Sequence, residues 1–375
     1  MKRLIFIAFS LAALSCVAGA EVTEPNVLSK HASEDASFYL VLEIKGLANP
    51  WGFVFLPDGS VLITERSGRL LHFVEGELYA VSGLPDIPAA GQGGLLDIAL
   101  HPEFGTNRLV YFSHSAVIGN GTGTAVSRGE FTGSELRNIE RIFTSNKGSS
   151  TRHHYGSRLL FDGRNNLYIT LGERGDGGRA QDVSDHAGSV IRIKDDGGIP
   201  ADNPFSTGGG LPEIFTYGHR NQQGIALDPM DGSVWLHEHG PKGGDELNRL
   251  TPGGNYGWPE VTFGVNYNGT VISEKTQAPG IEDPLLYWVP SIAPSGITFY
   301  TGQSFSNWHN DIFIGALAGK HLRRIKRDGT GIIGQEVLLQ NEVGRIRDVR
   351  TGPDGDIWFV TDESNGGLYR ITPAE

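Results

Sequence analysis

Two short segments concentrate the residues of this chain that could do chemistry. Tyr217-Gly-His-Arg220-Asn221-Gln-Gln-Gly224 joins a fixed cation to an amide, and His237-Glu-His-Gly240-Pro241-Lys-Gly-Gly-Asp245-Glu246 adds turn carbonyls and two carboxylates. A guanidinium, an amide and hard oxygen donors together suit an anionic, electron-rich ligand held beside a cation such as calcium. Gly240 and Pro241 would contribute backbone carbonyl oxygens, with Asp245 and Glu246 as nearby carboxylates. The histidines at 153–154 and 237–239 raise zinc as a competitor, but neither pair has the spacing of a helical zinc motif. Two further segments complete the set. Arg152-His153-His154-Tyr-Gly156-Ser-Arg158 offers a base, and Gly344-Arg345-Ile-Arg347-Asp348-Val-Arg350 offers cations. On a strand Arg345 and Arg347 share one face, and two guanidiniums on a face require an anion, which a ligand with two carboxylates would supply.

These segments are far apart in sequence, so the fold must bring them together. A β-rich phrase recurs six times: an apolar alternation, a Pro/Asp/Gly turn, then a second alternation. It is clearest in Trp51-Gly-Phe-Val-Phe-Leu-Pro57-Asp-Gly59-Ser-Val-Leu-Ile-Thr64. The turns fall near 57, 102, 162, 229, 300 and 353, spacings of roughly 45 to 70 residues that suit four-stranded propeller blades with variable loops. The expected fold is an all-β, six-bladed β-propeller with a central funnel, a single domain over 37–375. The run Phe38-Tyr-Leu-Val-Leu-Glu-Ile44 is expected to close the ring as an outer strand of the last blade, which hides an edge. Residues 21–36 read as a loose leader. In a propeller, loops from every blade surround one axis, so scattered motifs can form one site.

The first twenty residues bear on location. Lys2 and Arg3 precede an apolar run from Leu4 to Val17 and the small-residue sequence Ala18-Gly-Ala20, the pattern of a signal peptide over 1–20. A periplasmic or secreted product follows. Cys16 is the only cysteine; lipidation there is disfavoured because Leu14 sits one place from its usual position. Cleavage after Ala20 leaves a chain without disulfides, whose stability must come from a packed core. The formal net charge of −12 repels nucleic acid and anionic lipid. No later apolar run is long enough for a membrane span.

Several ordered motifs carry a resemblance to a known family: Gly91-Gln92-Gly-Gly-Leu-Leu-Asp97, His154-Tyr-Gly-Ser-Arg-Leu159, Tyr217-Gly-His-Arg-Asn221, Glu238-His-Gly-Pro241, Gly254-Asn-Tyr256-Gly-Trp-Pro259 and Arg345-Ile-Arg-Asp-Val349. Over nearly the whole chain after residue 47 the sequence resembles the soluble quinoprotein glucose/sorbosone dehydrogenases, most of all the bacterial periplasmic aldose sugar dehydrogenases. The resemblance implies pyrroloquinoline quinone (PQQ) and calcium as cofactors, and oxidation of the anomeric carbon of aldoses to lactones with broad specificity and an unspecified electron acceptor. It places His154 as catalytic base, Arg220 and Asn221 as the quinone-contacting pair, and Gln92, Tyr267, Lys320, Arg345 and Arg347 as further cofactor contacts. Gly240 and Pro241 would hold the calcium that touches PQQ, while Glu246 and Tyr256 match a second calcium site. Three places depart from the relatives: His153 stands where Asn or Asp commonly precedes the base, Gln222 where Pro usually follows Arg-Asn, and Glu173-Arg174 in place of more varied polar residues. A calcium-dependent lactonase or esterase, with His154 activating water, is the alternative. It has no need of Arg220, Lys320, Arg345 and Arg347, since a neutral lactone carries no charge to match them. A binding module would need no convergence of base, metal and cations.

Overall fold

The middle strands of the blades read as continuous apolar runs because both faces of each are covered, one by each neighbouring blade. In the computed structural model, which describes residues 21–374, every residue of Val61–Glu65, Asn166–Leu171, Ile312–Ala316 and Ile357–Thr361 is buried. The outer strand Gly331–Leu338 instead alternates exposed and half-buried residues, as a strand with one wet face must.

The chain begins with β1 (Glu21–Ala32) and β2 (Ser37–Leu47). Five four-stranded antiparallel sheets follow. The first holds β3 (Pro50–Phe55), β4 (Val61–Glu65), β5 (Arg69–Val74) and β6 (Glu77–Val81). The second holds β7 (Leu95–Leu100), β8 (Leu109–Ile118), β9 (Gly121–Phe131) and β10 (Leu136–Thr144). The third holds β11 (Leu159–Phe161), β12 (Asn166–Leu171), β13 (Ser189–Lys194) and β14 (Ile214–Thr216), and the fourth β15 (Gln222–Leu227), β16 (Val234–Glu238), β17 (Asp245–Arg249) and β18 (Leu286–Trp288). The fifth holds β19 (Pro294–Phe299), β20 (Ile312–Ala316), β21 (His321–Asp328) and β22 (Gly331–Leu338). The sixth is built from both ends of the chain. Its order is β1-β2-β25-β24-β23, with β23 (Ile346–Thr351), β24 (Ile357–Thr361) and β25 (Gly366–Pro373).

The first strands of the six sheets touch in the order β3, β7, β11, β15, β19, β23 and back to β3, which closes the ring. Six apolar clusters fill the gaps between blades; the last gap, between the sixth blade and the first, holds Ile44, Val360 and Leu368 against Phe53, Ile63 and Leu71. This is the six-bladed propeller expected from the sequence. All six recurring turns lie where expected, between the first and second strands of a blade. The segment 38–44 also pairs with β25, with Phe38 opposite Pro373 and Ile44 opposite Leu368.

One expectation needs correction. Residues 21–32, read as part of a loose leader, form β1 and add a fifth strand to the sixth blade by pairing with β2. The alternation there was too polar to be read as a strand, since its outer face meets solvent. The expected signal peptide over 1–20 lies outside the described residues.

At the axis, Arg158 bridges blades and does not serve a ligand. Its Nη1 reaches Asp348 Oδ1 at 2.8 Å, Nη2 donates to the Arg347 carbonyl at 2.8 Å, and Nε donates to the Gln223 carbonyl at 2.7 Å. Arg350 pairs with Asp348 and Asp97. The third, fourth, second and sixth blades are thereby tied together directly below the funnel.

Candidate functional site

Antiparallel pairing puts the start of each blade's first strand beside the end of its second, so both contribute to the same end of the funnel. A cavity of about 240 Å³ opens there. Trp51, Gln92, Gly156, Asn221, Ala293, Arg345 and Arg347 reach it from at or near the start of first strands, while Arg66, His239, Leu317 and Asp362 reach it from just beyond the ends of second strands.

His154 stands on the loop before β11 in a left-handed backbone conformation (φ 56°). Two contacts fix it. Its backbone N–H donates to Gln92 Oε1 at 2.7 Å, and its Nδ1 lies 2.7 and 2.9 Å from the two carboxylate oxygens of Glu173. Glu173 follows β12, is almost fully buried, and its own N–H donates to the Arg220 carbonyl at 2.9 Å. The close approach needs glycine at 172, because a Cβ there would overlap the His154 carbonyl. With a carboxylate on Nδ1, the imidazole is held as the Nδ1–H tautomer and Nε2 becomes the basic nitrogen. Nε2 has no partner among the described residues. The His153 ring lies edge-on to His154 with centroids 4.5 Å apart; burial and the neighbouring His154 hold its pKa below the usual imidazole value. Arg174 braces this loop by donating to the carbonyls of Thr151 and His153 while lying over the Tyr155 ring.

Arg220 and Asn221 part company. Asn221 lines the cavity and accepts from the Gly156 N–H at 3.2 Å. Arg220 turns into an adjoining cleft lined by Glu238, His239, Gly240, Glu246 and Tyr256. There its Nη1 donates to the carbonyls of His239 and Gly240, both at 3.0 Å, and its buried Nε has no partner. Glu238 holds this strand entry in place, meeting His219 Nδ1 at 2.7 Å and accepting from the Arg220 N–H at 2.6 Å.

Glu246 sits opposite Glu238 on the paired strands β16 and β17. Burial, and then the Glu238 charge, push its carboxyl well above the usual range. Among the described residues no Lys or Arg pairs with it, and the buried Asn248 Oδ1 beside it is orphaned. A buried negative site with spare oxygen donors is a place for a hard cation. The Tyr256 phenol donates to the Arg249 carbonyl and accepts from the Thr251 N–H, which leaves the phenol committed, while its backbone carbonyl accepts from no N–H of the described residues.

Asp245 departs from expectation. Its carboxylate accepts from Ser291 Oγ and from the N–H groups of Ile292, Ala293 and Gly240, so it is a brace for the Gly240 loop and not a free metal donor; burial pushes it up to about 6. His237 and His239 commit Nε2 to the carbonyls of Ser295 and Pro294, the latter at 2.6 Å, and burial drives His237 down to about 3. Among the described residues, no three His, Cys, Asp or Glu side chains gather as a metal ligand set. The zinc alternative therefore has no ligand set in this region.

Arg345 and Arg347 both line the cavity, but their anion is already within the protein. Arg347 Nη2 lies 2.6 Å from Asp362 Oδ2, and Arg345 Nη2 lies 3.7 Å from the same oxygen. Burial opposes ionisation of Asp362, yet Arg347, with Arg66 and Arg345, holds it at about 2. Tyr267 and Lys320 are not brought into the cavity: Tyr267 is 71% exposed, and Lys320 is exposed in the turn between β20 and β21. Glu173, Arg66 and Asp362 were the residues whose roles sequence reading missed. Their signal was positional, since each follows a second strand as His239 does.

The model of the glucose/sorbosone dehydrogenase family matches residues 47–370. Aldose sugar dehydrogenase YliI of Escherichia coli (strain K12) is 40% identical over 374 residues, covering 97% of this chain and 98% of that protein. The apo crystal structure of the soluble aldose sugar dehydrogenase from Escherichia coli superposes with a TM-score of 0.86 at 42% identity, covering 88% of this chain and 98% of that one. The PQQ-bound aldose sugar dehydrogenase from Streptomyces coelicolor superposes with a TM-score of 0.71 at 27% identity, covering 95% and 100%.

Proposed function

The chain belongs to the glucose/sorbosone dehydrogenase family, and from that membership we propose that it is a PQQ- and calcium-dependent enzyme oxidising the anomeric carbon of aldoses to lactones. The observation that carries the reading is an oriented base, His154 on Glu173, tied through its N–H to Gln92 on the wall of a cationic cavity.

The residues fit both implied groups. Three guanidiniums against one carboxylate leave the cavity with surplus positive charge, which suits a ligand bearing three carboxylates. We assign the calcium that would meet PQQ to the Gly240 and Pro241 carbonyls, and a second calcium to Glu246 and Tyr256, beside which the orphaned Asn248 Oδ1 is a spare hard donor. When bound, PQQ would supply the hydride acceptor and calcium the electrostatic polarisation of it.

The chain's own part is binding, orientation and proton transfer. Loss of hydride from C1 leaves an oxocarbenium-like centre unless the hydroxyl proton departs as well, so a base must be poised at that hydroxyl. His154 takes that proton at Nε2, and the Glu173 carboxylate stabilises the resulting imidazolium through Nδ1. Asn221 would orient the cofactor from the cavity wall, Arg220 would meet it only from the adjoining cleft, and Arg345 and Arg347 would hold its anionic edge. His154 is largely covered, its side chain 13% exposed, and we read that exposed edge as where a sugar entering the funnel meets the base. The N-terminal segment supports a periplasmic or secreted site of action. A lactonase would leave the cationic cavity without purpose.

The test is reconstitution. Metal-stripped protein supplied with PQQ and calcium is expected to reduce a dye with a panel of aldoses; no reduction with any aldose overturns the reading.

A further inference from the structure

We propose that Arg66 is the third cation of the cofactor site, so that the anionic edge of the ligand is held by Arg66, Arg345 and Arg347, with Lys320 at most peripheral. This rests on the PQQ reading above and deepens it.

Arg66 immediately follows β4, and its backbone fixes where it points. Its N–H donates to the Asn49 carbonyl at 3.2 Å, and its carbonyl accepts from the Leu95 N–H at 3.2 Å. The stem runs over Gly94, whose φ of 151° and lack of a side chain make room: a Cβ there would overlap the Arg66 carbonyl and press on its Cγ. The guanidinium joins Arg345 and Arg347, which enter from the sixth blade, around the Asp362 carboxylate in the cavity.

What it finds there does not satisfy it. Among the described residues its one ion pair is a loose 3.8 Å contact to Asp362 Oδ1, and its guanidinium makes no hydrogen bond to any of them. Asp362 is already engaged elsewhere, Oδ2 by Arg347 at 2.6 Å and Oδ1 by the Asn49 amide at 3.2 Å. Arg345 is little better served, with a 3.4 Å contact to the Leu317 carbonyl and its 3.7 Å pair to Asp362. Among the described residues the other ionisable groups on the cavity wall are His239, which burial keeps neutral, and Tyr155, whose hydroxyl hydrogen-bonds Thr122. Three fixed cations thus face one carboxylate, two of them with hydrogen-bonding capacity to spare, and a planar fork is the group that binds carboxylates best. Lys320 lies outside this wall.

Equilibrium binding of PQQ to the calcium-loaded apoprotein, followed by titration calorimetry, separates the possibilities without any turnover. Arg66→Gln is expected to weaken binding about 10- to 150-fold, the loss of one charge-assisted contact, and by more than Lys320→Gln does. A variant that binds as the wild type does, or a larger loss from Lys320→Gln, overturns the proposal. A second measurement on wild-type protein avoids dependence on the variant's folding: PQQ is expected to shield Arg66 from phenylglyoxal modification, scored by peptide mass, and equal modification with and without PQQ also overturns it. Wild-type protein that binds no PQQ removes the cofactor reading and this inference with it, an outcome distinct from a wild type that binds while Arg66 is indifferent.

Discussion

Replacing Glu173 by Gln isolates the one interaction that makes His154 a directed base. The substitution keeps shape and volume but removes the negative charge that lies 2.7 and 2.9 Å from His154 Nδ1. A hydrogen bond to a charged partner is worth about 1.5–3 kcal/mol, and about 1.4 kcal/mol is a factor of ten in rate. If that stabilisation is realised only as the imidazole gains its proton, turnover falls about 10- to 150-fold at saturating sugar and cofactor. Glu173→Asp, which keeps the charge on a shorter arm, should recover part of the loss. The assay is dye-coupled kcat on reconstituted protein, read beside PQQ affinity and the thermal midpoint. The Glu173 side chain touches neither the cationic wall nor the Glu246 cleft, and its backbone bond to Arg220 survives the substitution, so both companions should stay at wild-type values. Turnover within twofold of wild type would refute the argument, and so would a loss traced wholly to weaker PQQ binding, because the carboxylate would then be a fold element.

His154→Gln should lower turnover by about 10²–10⁴-fold with PQQ still bound, since a base contributes little to holding an anionic cofactor; spectroscopic titration of PQQ checks the second half. Arg347→Ala should cost about 3 kcal/mol or more in urea unfolding because it strips the partner from the buried Asp362, whereas the more exposed Arg345→Ala should weaken PQQ binding with little change in stability. Calcium binding to the metal-free protein should release protons, because Glu246 holds its proton to unusually high pH and must give it up to bind a cation; calcium affinity should therefore fall as pH is lowered, and calorimetry in buffers of different ionisation enthalpy would show pH-independent uptake if Glu246 is not a ligand. His239→Gln should leave calcium content unchanged, as its Nε2 already serves the Pro294 carbonyl; loss of metal on elemental analysis would contradict that.

The ring was legible because each blade repeats one phrase, and a phrase with Pro or Asp-Gly at the same place can be aligned with itself. The closing strand was legible too, as Phe38–Ile44 is an apolar alternation with no partner nearby. β1 was not, because a strand at the edge of a blade has one wet face and few apolar residues to announce it. In the site, the residues before first strands stood out since Arg, Asn and His there interrupt an otherwise apolar pattern. Those after second strands were hidden: Arg66, Glu173 and Asp362 sit where polar residues are expected after a strand, and only their convergence in space separates them from ordinary turn residues. The pairing of Arg347 with Asp362 was likewise invisible, being a contact between strands whose register sequence does not reveal.

The sixth blade takes two of its five strands from the start of the chain and three from its end. A ribosome making this protein therefore lays down β2 long before β25, its partner, exists. Arg66 and Gln92 are made early, Arg347 and Asp362 near the finish, and they meet only across the seam that this late pairing closes. An interrupted chain, however well its middle blades have formed, is expected to leave that seam open and the cavity unassembled. On the proposed function, cofactor binding is thus withheld until synthesis is complete, and a molecule clipped within β25 should lose it in one step and not by degrees.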